Sequence, residues 1–231
     1  MSSGNLVYNT VDYYIYSVDE IDSTNTYLKE NYLVLCDKTV IITNKQTAGR
    51  GRFNRNWVCD NDIAFSILFK EFHRNEIIAP LAIINALKEM NIDAKIKWPN
   101  DIYFQNKKLA GILIEDVYLE KFKASVVGIG INMSNKEEFN GIGLNEYVNL
   151  SKREIIEKIL IQYDNLLKLP KYEIMEQYQR YNLIIGLDIK YKDEVYKAEE
   201  ILDNGYLVLS NSKQKITISS NEIDIKSSIY N

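Results

Sequence analysis

Between Gln46 and Trp57 the chain reads Gln-Thr-Ala-Gly-Arg-Gly-Arg-Phe-Asn-Arg-Asn-Trp, with arginines at 50, 52 and 55 and no acidic residue. This +3 stretch, in a protein of formal net charge −4, is a candidate anion site. Gly49 and Gly51 let the backbone turn tightly and approach a ligand, and guanidinium forks grip phosphate or carboxylate oxygens in a fixed geometry. Some 50 residues on stands a second cluster, Lys97-Trp98-Pro99-Asn100-Asp101 followed by Lys108-Leu109-Ala110-Gly111. Arginines and lysines to clamp phosphates, one carboxylate to support a metal and no protease-like nucleophile fit phosphoryl or nucleotidyl transfer. Such reactions need positioning and charge stabilisation more than covalent chemistry by the protein.

Other chemistries are poorly provided for. With one histidine, His73, neither a Ser-His-Asp nor a Cys-His mechanism has its base, and Cys36 and Cys59 lack metal-ligand spacing. Walker and Rossmann glycine patterns are both absent. The negative net charge argues against a protein that coats DNA or RNA, which needs a broad basic face. No apolar run is long enough to span a membrane, and the tyrosine-rich N-terminus lacks the layout of a signal peptide, so a cytoplasmic location is expected.

Positioning falls to the elements around these clusters. Residues 11–18, rich in Tyr, Ile and Val, predict a strand leading to Asp22-Ser23-Thr24-Asn25, where Asp22 or Ser23 caps a helix through about Tyr32. Ser23 and Thr24 then have two readings: capping alone, or groups at a helix start pointed at a ligand. Strands at 38–43 and 63–70 bracket the arginine-glycine loop, taken as residues 45–61, longer than an ordinary connection. Ile77, Ile78, Leu81, Ile84, Leu87 and Met90 predict a buried helix over 76–90. A strand at 94–98 stops at Pro99, and 101–104 with 109–117 predicts a hairpin across Gln105-Asn106-Lys107. Residues 122–133 are apolar on both faces, which suits a central strand or, equally, one at the interface of a side-by-side homodimer.

Ser151-Lys152-Arg153-Glu154 has the form of a capping box opening a helix to about Leu169, and a second helix over 171–181 follows Pro170. Short alternating strands at 187–191, 195–202, 206–209 and 215–219, with Asp203-Asn204-Gly205 as a turn, predict a small β-barrel. The expected class is α+β: a mixed sheet with flanking helices in residues 1–182, and the barrel in 183–231.

Asp22-Ser23-Thr24-Asn25, Gln46-Thr47-Ala48-Gly49-Arg50-Gly51-Arg52, Lys97-Trp98-Pro99-Asn100-Asp101, Lys108-Leu109-Ala110-Gly111-Ile112-Leu113-Ile114-Glu115 and Gly128-Ile129-Gly130-Ile131-Asn132-Met133 occur in an order that resembles the biotin protein ligase family. The resemblance covers the chain from about residue 20 to residue 133. It implies a class II synthetase-like catalytic fold with an SH3-like C-terminal barrel. It also implies a two-step reaction: the biotin carboxylate attacks the α-phosphorus of ATP to give biotinyl-5′-AMP and pyrophosphate, and a lysine of a biotin carboxyl carrier protein domain then attacks the anhydride. By the same resemblance Ser23, Thr24 and Gln46 match positions that hydrogen-bond the ureido ring, and Gly49, Arg50 and Arg52 match the loop that closes over biotin and the adenylate phosphate. Lys108 matches the lysine near the carboxylate and α-phosphate, with Gly111 admitting close approach. Trp57 would cover the adenine, Asn132 would lie near the nucleotide, and Lys97 and Asp101 would serve phosphate binding and Mg²⁺.

Two departures stand out. Where the family's loop commonly continues with a basic residue and glycine, this chain has Phe53 and Asn54, and it begins almost at the catalytic motifs, with no room for the helix-turn-helix of the repressor-type ligases. No DNA-binding role is expected. Lipoate and octanoyl ligases or transferases of similar fold carry no Gly-Arg-Gly-Arg loop of this form.

Overall fold

The computed structural model describes residues 5–10, 12–57, 59–119, 122–219 and 224–225. The first half holds β1 (Asn5–Thr10), β2 (Tyr13–Ile21), α1 (Thr24–Asn31), β3 (Thr39–Gln46), β4 (Cys59–Phe69) and α2 (Asn75–Glu89). Then come β5 (Lys95–Lys97), β6 (Asp101–Phe104), β7 (Lys107–Leu119), β8 (Phe122–Ile131), α3 (Lys152–Leu167) and α4 (Lys171–Tyr181). Five short strands close the series: β9 (Asp188–Tyr191), β10 (Glu194–Ile201), β11 (Leu207–Ser210), β12 (Lys215–Ile218) and β13 (Asp224–Ile225). These elements form two compact units, one of residues up to Asn75 with Lys107–Glu154, the other of Glu76–Asn106 with residues from Ile155 on.

In the first unit the strand order is β1-β2-β3-β4-β8-β7. β2 and β3 run parallel across the α1 crossover and the other pairs are antiparallel, so the expected mixed sheet is present. The α1 helix lies on one face because its Leu28 and Tyr32 bury there against Ile41, Leu68, Ala124 and Val126. Ser23 is its N-cap, with an extended backbone and a side-chain oxygen that accepts from Thr26 N–H. Local chemistry alone dictates that start.

Two expectations are corrected in this unit. β1 is a strand where none is expected, and Val11, the expected start of the first strand, lies outside the described residues. The arginine-glycine loop is shorter than 45–61, since Lys45 pairs with Asp60 and Gln46 with Cys59 before the chain leaves the sheet. Of the two readings of β8 the register gives the central strand: β4 and β7 take up both its edges, so β8 itself has no edge left to extend the sheet into a second copy.

In the second unit α2 buries Ile77, Ile78, Leu81, Ile84 and Leu87, α3 buries Ile155, Ile156, Ile159, Leu160, Tyr163 and Leu166, and α4 buries Ile174 and Tyr178. The box before α3 is closed reciprocally, with Ser151 N–H donating to Glu154 at 2.8 Å and Glu154 N–H donating to Ser151 Oγ at 3.3 Å. The expected C-terminal β unit is an antiparallel sheet in the order β12-β11-β10-β9-β13. So small a sheet buries too little apolar surface to stand alone. It is held to its own unit by the Trp98 indole N–H, which donates to Gly205 O at 2.8 Å, and by the Gln179 amide, which donates to Ile201 O at 3.0 Å and accepts from Ile201 N–H at 3.4 Å. Deleting residues 187–231 strips these partners from buried donors, and thermal unfolding of the remainder is expected to become broad and to shift down. A truncated chain that melts as sharply and as high as the whole would show the sheet to be dispensable.

Candidate active site

Strand register builds the floor. Gly111 pairs with Gly130, Gly130 with Ala64 and Ala64 with Thr43, so one row across four strands carries almost no side-chain bulk. Two residues along, Gly128 pairs with Ser66 on the same face, which is the face that holds α1. The shortage of Cβ atoms leaves a trough, and the Trp57 indole lies in it. A Cβ on Gly130 would stand 2.2 Å from Trp57 Cε2, and one on Gly111 would stand 3.3 Å from Trp57 Cζ3 and 3.4 Å from Lys108 Nζ. Trp57 Nε1–H is buried without a hydrogen-bond partner among the described residues. A buried donor left unpaired costs about 1–3 kcal/mol, which an incoming acceptor would recover.

The start of α1 makes one wall. Thr24 N–H donates to Gln46 Oε1 at 2.9 Å, and Thr24 Oγ1 is 3.1 Å from the same oxygen and 2.6 Å from Ser66 Oγ. Ser66 in turn donates to Asn25 Oδ1 at 2.6 Å. Asn25 Nδ2 donates to Leu113 O at 3.2 Å and to Glu115 Oε2 at 2.9 Å, while Lys29 Nζ sits 2.6 Å from Glu115 Oε1. Burial alone would raise the Glu115 carboxyl, but hydrogen bonds from Lys29 and Asn25, with the charges of Lys29 and Arg50, hold it below its usual range. Ser23 caps the helix, and Thr24 and Gln46 are joined at the edge of the trough.

The arginine-glycine loop is a small hairpin standing on β3 and β4. Trp57 N–H donates to Gly49 O at 2.9 Å, Arg50 bridges to Asn56, and Gly51 N–H donates to Arg55 O at 2.7 Å. A 3-10 turn at Arg52–Asn54 closes it, with Phe53 at φ 56° in the left-handed region. Gly49 has no room for a side chain, since a Cβ there would meet Trp57 O at 2.4 Å. Arg50 reaches back to Thr26 Oγ1 at 3.1 Å and Glu115 Oε1 at 3.5 Å. The Arg52 guanidinium lies over the Phe53 ring, 5.0 Å from its centroid. Phe53 is 63% exposed, so it packs into no core that would hold the loop shut.

Opposite α1, the backbone of Lys108 is clamped. Its N–H donates to Asn140 O at 3.2 Å, and its C=O accepts from Ile142 N–H at 2.9 Å and from Asn132 Nδ2 at 3.0 Å. Asn132 is therefore a buried brace for Lys108. Asp62 steadies the next stretch, accepting from Met133 N–H at 2.9 Å and pairing with Lys136 Nζ at 2.9 Å.

Of the residues singled out from the sequence, Ser23, Thr24, Gln46, Gly49, Arg50, Trp57, Lys108, Gly111 and Asn132 meet around this trough, and Arg52 is on the hairpin above. Lys97 and Asp101 belong to the second unit, where they face each other in the β5–β6 register. There Lys97 Nζ is 3.3 Å from the Tyr103 hydroxyl, and burial followed by the Asp101 carboxylate pushes that phenol up to about 12. To the residues around the trough the structure adds Ser66, Asn25, Thr26, Asp62 and Glu115. Ser66 has a signal, a hydroxyl within the apolar run Ile63–Phe69, and Asn25 and Glu115 each close one of the sequence motifs, whereas Thr26 and Asp62 gain meaning only from contacts far apart in sequence.

The site face of the mixed sheet is thus floored by paired glycines and edged by a helix start, a basic hairpin and a clamped lysine. Residues 17–132, half of the chain, match the model of the Biotin/lipoate A/B protein ligase family, and the chain belongs to that family. It is 32% identical over 198 residues to a biotin–protein ligase of Schizosaccharomyces pombe, covering 71% of this chain and 30% of that protein. To a biotin–[acetyl-CoA-carboxylase] ligase of Mycobacterium tuberculosis it is 25% identical over 217 residues, 81% of this chain and 79% of that protein. The solved biotin protein ligase from Aquifex aeolicus in complex with biotin and ATP shares 27% identity at a TM-score of 0.76, covering 92% of this chain and 98% of that one. Across several curated relatives the chain spans 30% to 42% of their length.

Proposed function

We propose that the chain is a biotin protein ligase, which activates biotin with ATP to biotinyl-5′-AMP and transfers it to a lysine of a biotin carboxyl carrier protein domain. The observation that carries this reading is the glycine-floored trough with an unpartnered indole N–H, set between Thr24 with Gln46 on one side and Lys108 on the other. Ser23, Thr24 and Gln46 would meet the ureido ring, a neutral head needing both donors and acceptors. Gly111 would admit close approach of the ligand to the backbone, and Gly49 would let the hairpin backbone pack closely against Gln46 and Trp57. Lys108 would face the carboxylate and α-phosphate, Arg50 and Arg52 would close over the adenylate, and Trp57 and Asn132 would bound the nucleotide.

Lys97 is assigned to the phosphates and Asp101 to Mg²⁺. Among the described residues there is no cluster of three or more His, Cys, Asp or Glu able to hold a metal. One carboxylate nevertheless fits an ion that takes its remaining ligands from phosphate and water. When bound, Mg²⁺ would offset phosphate charge. Residues 1–182 would carry the chemistry and 183–231 a C-terminal domain. A homodimer would use surfaces other than the β8 edges, which light scattering with and without ligand tests. No described helix is long and apolar enough to cross a membrane; a cytoplasmic location and independence from DNA complete the reading.

The test is ATP–pyrophosphate exchange: biotin should support it and lipoate should not. No biotin-dependent exchange in folded, Mg²⁺-supplied protein would overturn the proposal. Arg52→Gly should uncouple the two steps. The reactive anhydride must be shielded until the acceptor arrives, and Arg52, on the hairpin, would give a charge-assisted grip on its phosphate. The variant should still make biotinyl-5′-AMP but release it, labelling bystander lysines in a mixed protein pool probed with anti-biotin. Unchanged selectivity with no free adenylate would place retention elsewhere in the loop.

A further inference from the structure

We infer that Glu115 is a positioning residue that sets the direction of the Thr24 hydroxyl, leaving its lone pairs, beside the Gln46 amide, to accept hydrogen bonds from a ligand. The inference rests on the proposed recognition of a neutral ureido ring and adds what orients the groups that would recognise it.

From Glu115 as far as Ser66 the contacts allow one direction only. Leu113 O and the ionised Glu115 carboxylate accept and cannot donate, so the Asn25 amide must turn its NH₂ toward both, at 3.2 Å and 2.9 Å. Its carbonyl is thereby aimed at Ser66, and the 2.6 Å contact uses the single hydroxyl proton of Ser66. Ser66 Oγ can then only accept across its 2.6 Å contact with Thr24 Oγ1, so the single Thr24 hydroxyl proton is shared between two acceptors, Ser66 Oγ and Gln46 Oε1 at 3.1 Å. Thr24 is left with lone pairs for a ligand. Because Gln46 Oε1 accepts from Thr24 N–H at 2.9 Å and from the Thr24 hydroxyl at 3.1 Å, the Gln46 amide keeps its carbonyl on α1 and its NH₂ for the trough.

The result is a side-chain acceptor next to a side-chain donor, which matches the adjacent N–H and C=O of a cyclic urea. Thr24, Asn25 and Ser66 are 3%, 4% and 0% exposed, so water cannot rescue a reversed proton order. Gly128 belongs to the same device, since a Cβ there would stand 2.3 Å from Asn25 Oδ1 and force the amide off the sheet.

Glu115→Gln keeps the shape but lets the side chain offer an N–H to Asn25, which admits the flipped amide. Ser66→Ala cuts the chain between Asn25 and Thr24 without touching Glu115. Each is expected to raise the biotin KM in ATP–pyrophosphate exchange by about tenfold, the scale of one misdirected buried hydrogen bond, with kcat little changed. The double variant should be no worse than either single one, because both interrupt one chain. Multiplied effects would mean that Glu115 acts through Arg50 instead, and an unchanged KM in both single variants would mean that it orients nothing; either overturns the inference. A readout without ligand separates this from the proposed function. In ¹⁵N NMR of the unliganded protein the Gln46 side-chain NH₂ resonances should move in both variants. No movement sinks the inference even if wild type activates biotin, whereas movement in a protein that does not activate biotin sinks only the proposed function.

Discussion

Lys108→Ala is expected to slow adenylate formation about a hundred- to a thousandfold while changing biotin affinity far less. Removing one preorganised partner of a developing anion costs on the order of 3–4 kcal/mol, and that loss falls on the transition state. The backbone around Lys108 is fixed by Asn140, Ile142 and Asn132, none of which depends on its side chain. Alanine therefore removes the ammonium group and leaves the strand in place. The amine reaches the glycine floor beside Gly111, where an acyl phosphate would have to form. Lys108→Arg should rescue little, since a planar fork is bulkier than a point charge and sets its donors in a different geometry. Single-turnover formation of biotinyl-5′-AMP measured alongside calorimetric biotin binding makes the comparison. Equal losses in the two would reduce Lys108 to a ground-state contact.

What could be read from the sequence was what neighbouring residues decide. Ser23 capping α1 and the Ser151–Glu154 box each involve atoms within three residues, and both are present. Helix stripes such as Ile155, Ile159 and Leu166 are periodic and equally legible. The arginine-glycine segment was recognisable as a basic loop, yet its hairpin form depends on Trp57 returning to Gly49, which composition does not disclose. Least legible was the polar chain under α1. Its links join residues 22 to 90 positions apart, and an asparagine or serine among apolar neighbours does not announce which partner the fold will bring. Gly128 and Gly130 were visible as a motif, but their purpose appeared only with the strand register that sets one beside Ser66 and the other beside Ala64.

Gly130→Val should eliminate biotin binding, lowering affinity more than a hundredfold, in a protein that still folds. Valine suits a strand, and β8 keeps both its neighbours, so the backbone has no reason to leave. On the site face, however, Gly130 stands between Ala64 and Gly111, and any side chain there rises into the trough. The Cβ alone would lie 2.2 Å from the Trp57 ring, so the indole must be displaced along with the hairpin that carries it. Overpacking of this kind costs about 1–3 kcal/mol. The variant should thus lose some stability in urea and show red-shifted tryptophan emission as Trp57 meets water. Adding Trp57→Ala to Gly130→Val relieves the clash, so stability should return while binding does not, because the floor stays filled. Retained biotin affinity in Gly130→Val would mean that the ligand lies elsewhere and that the glycine row serves only to seat Trp57.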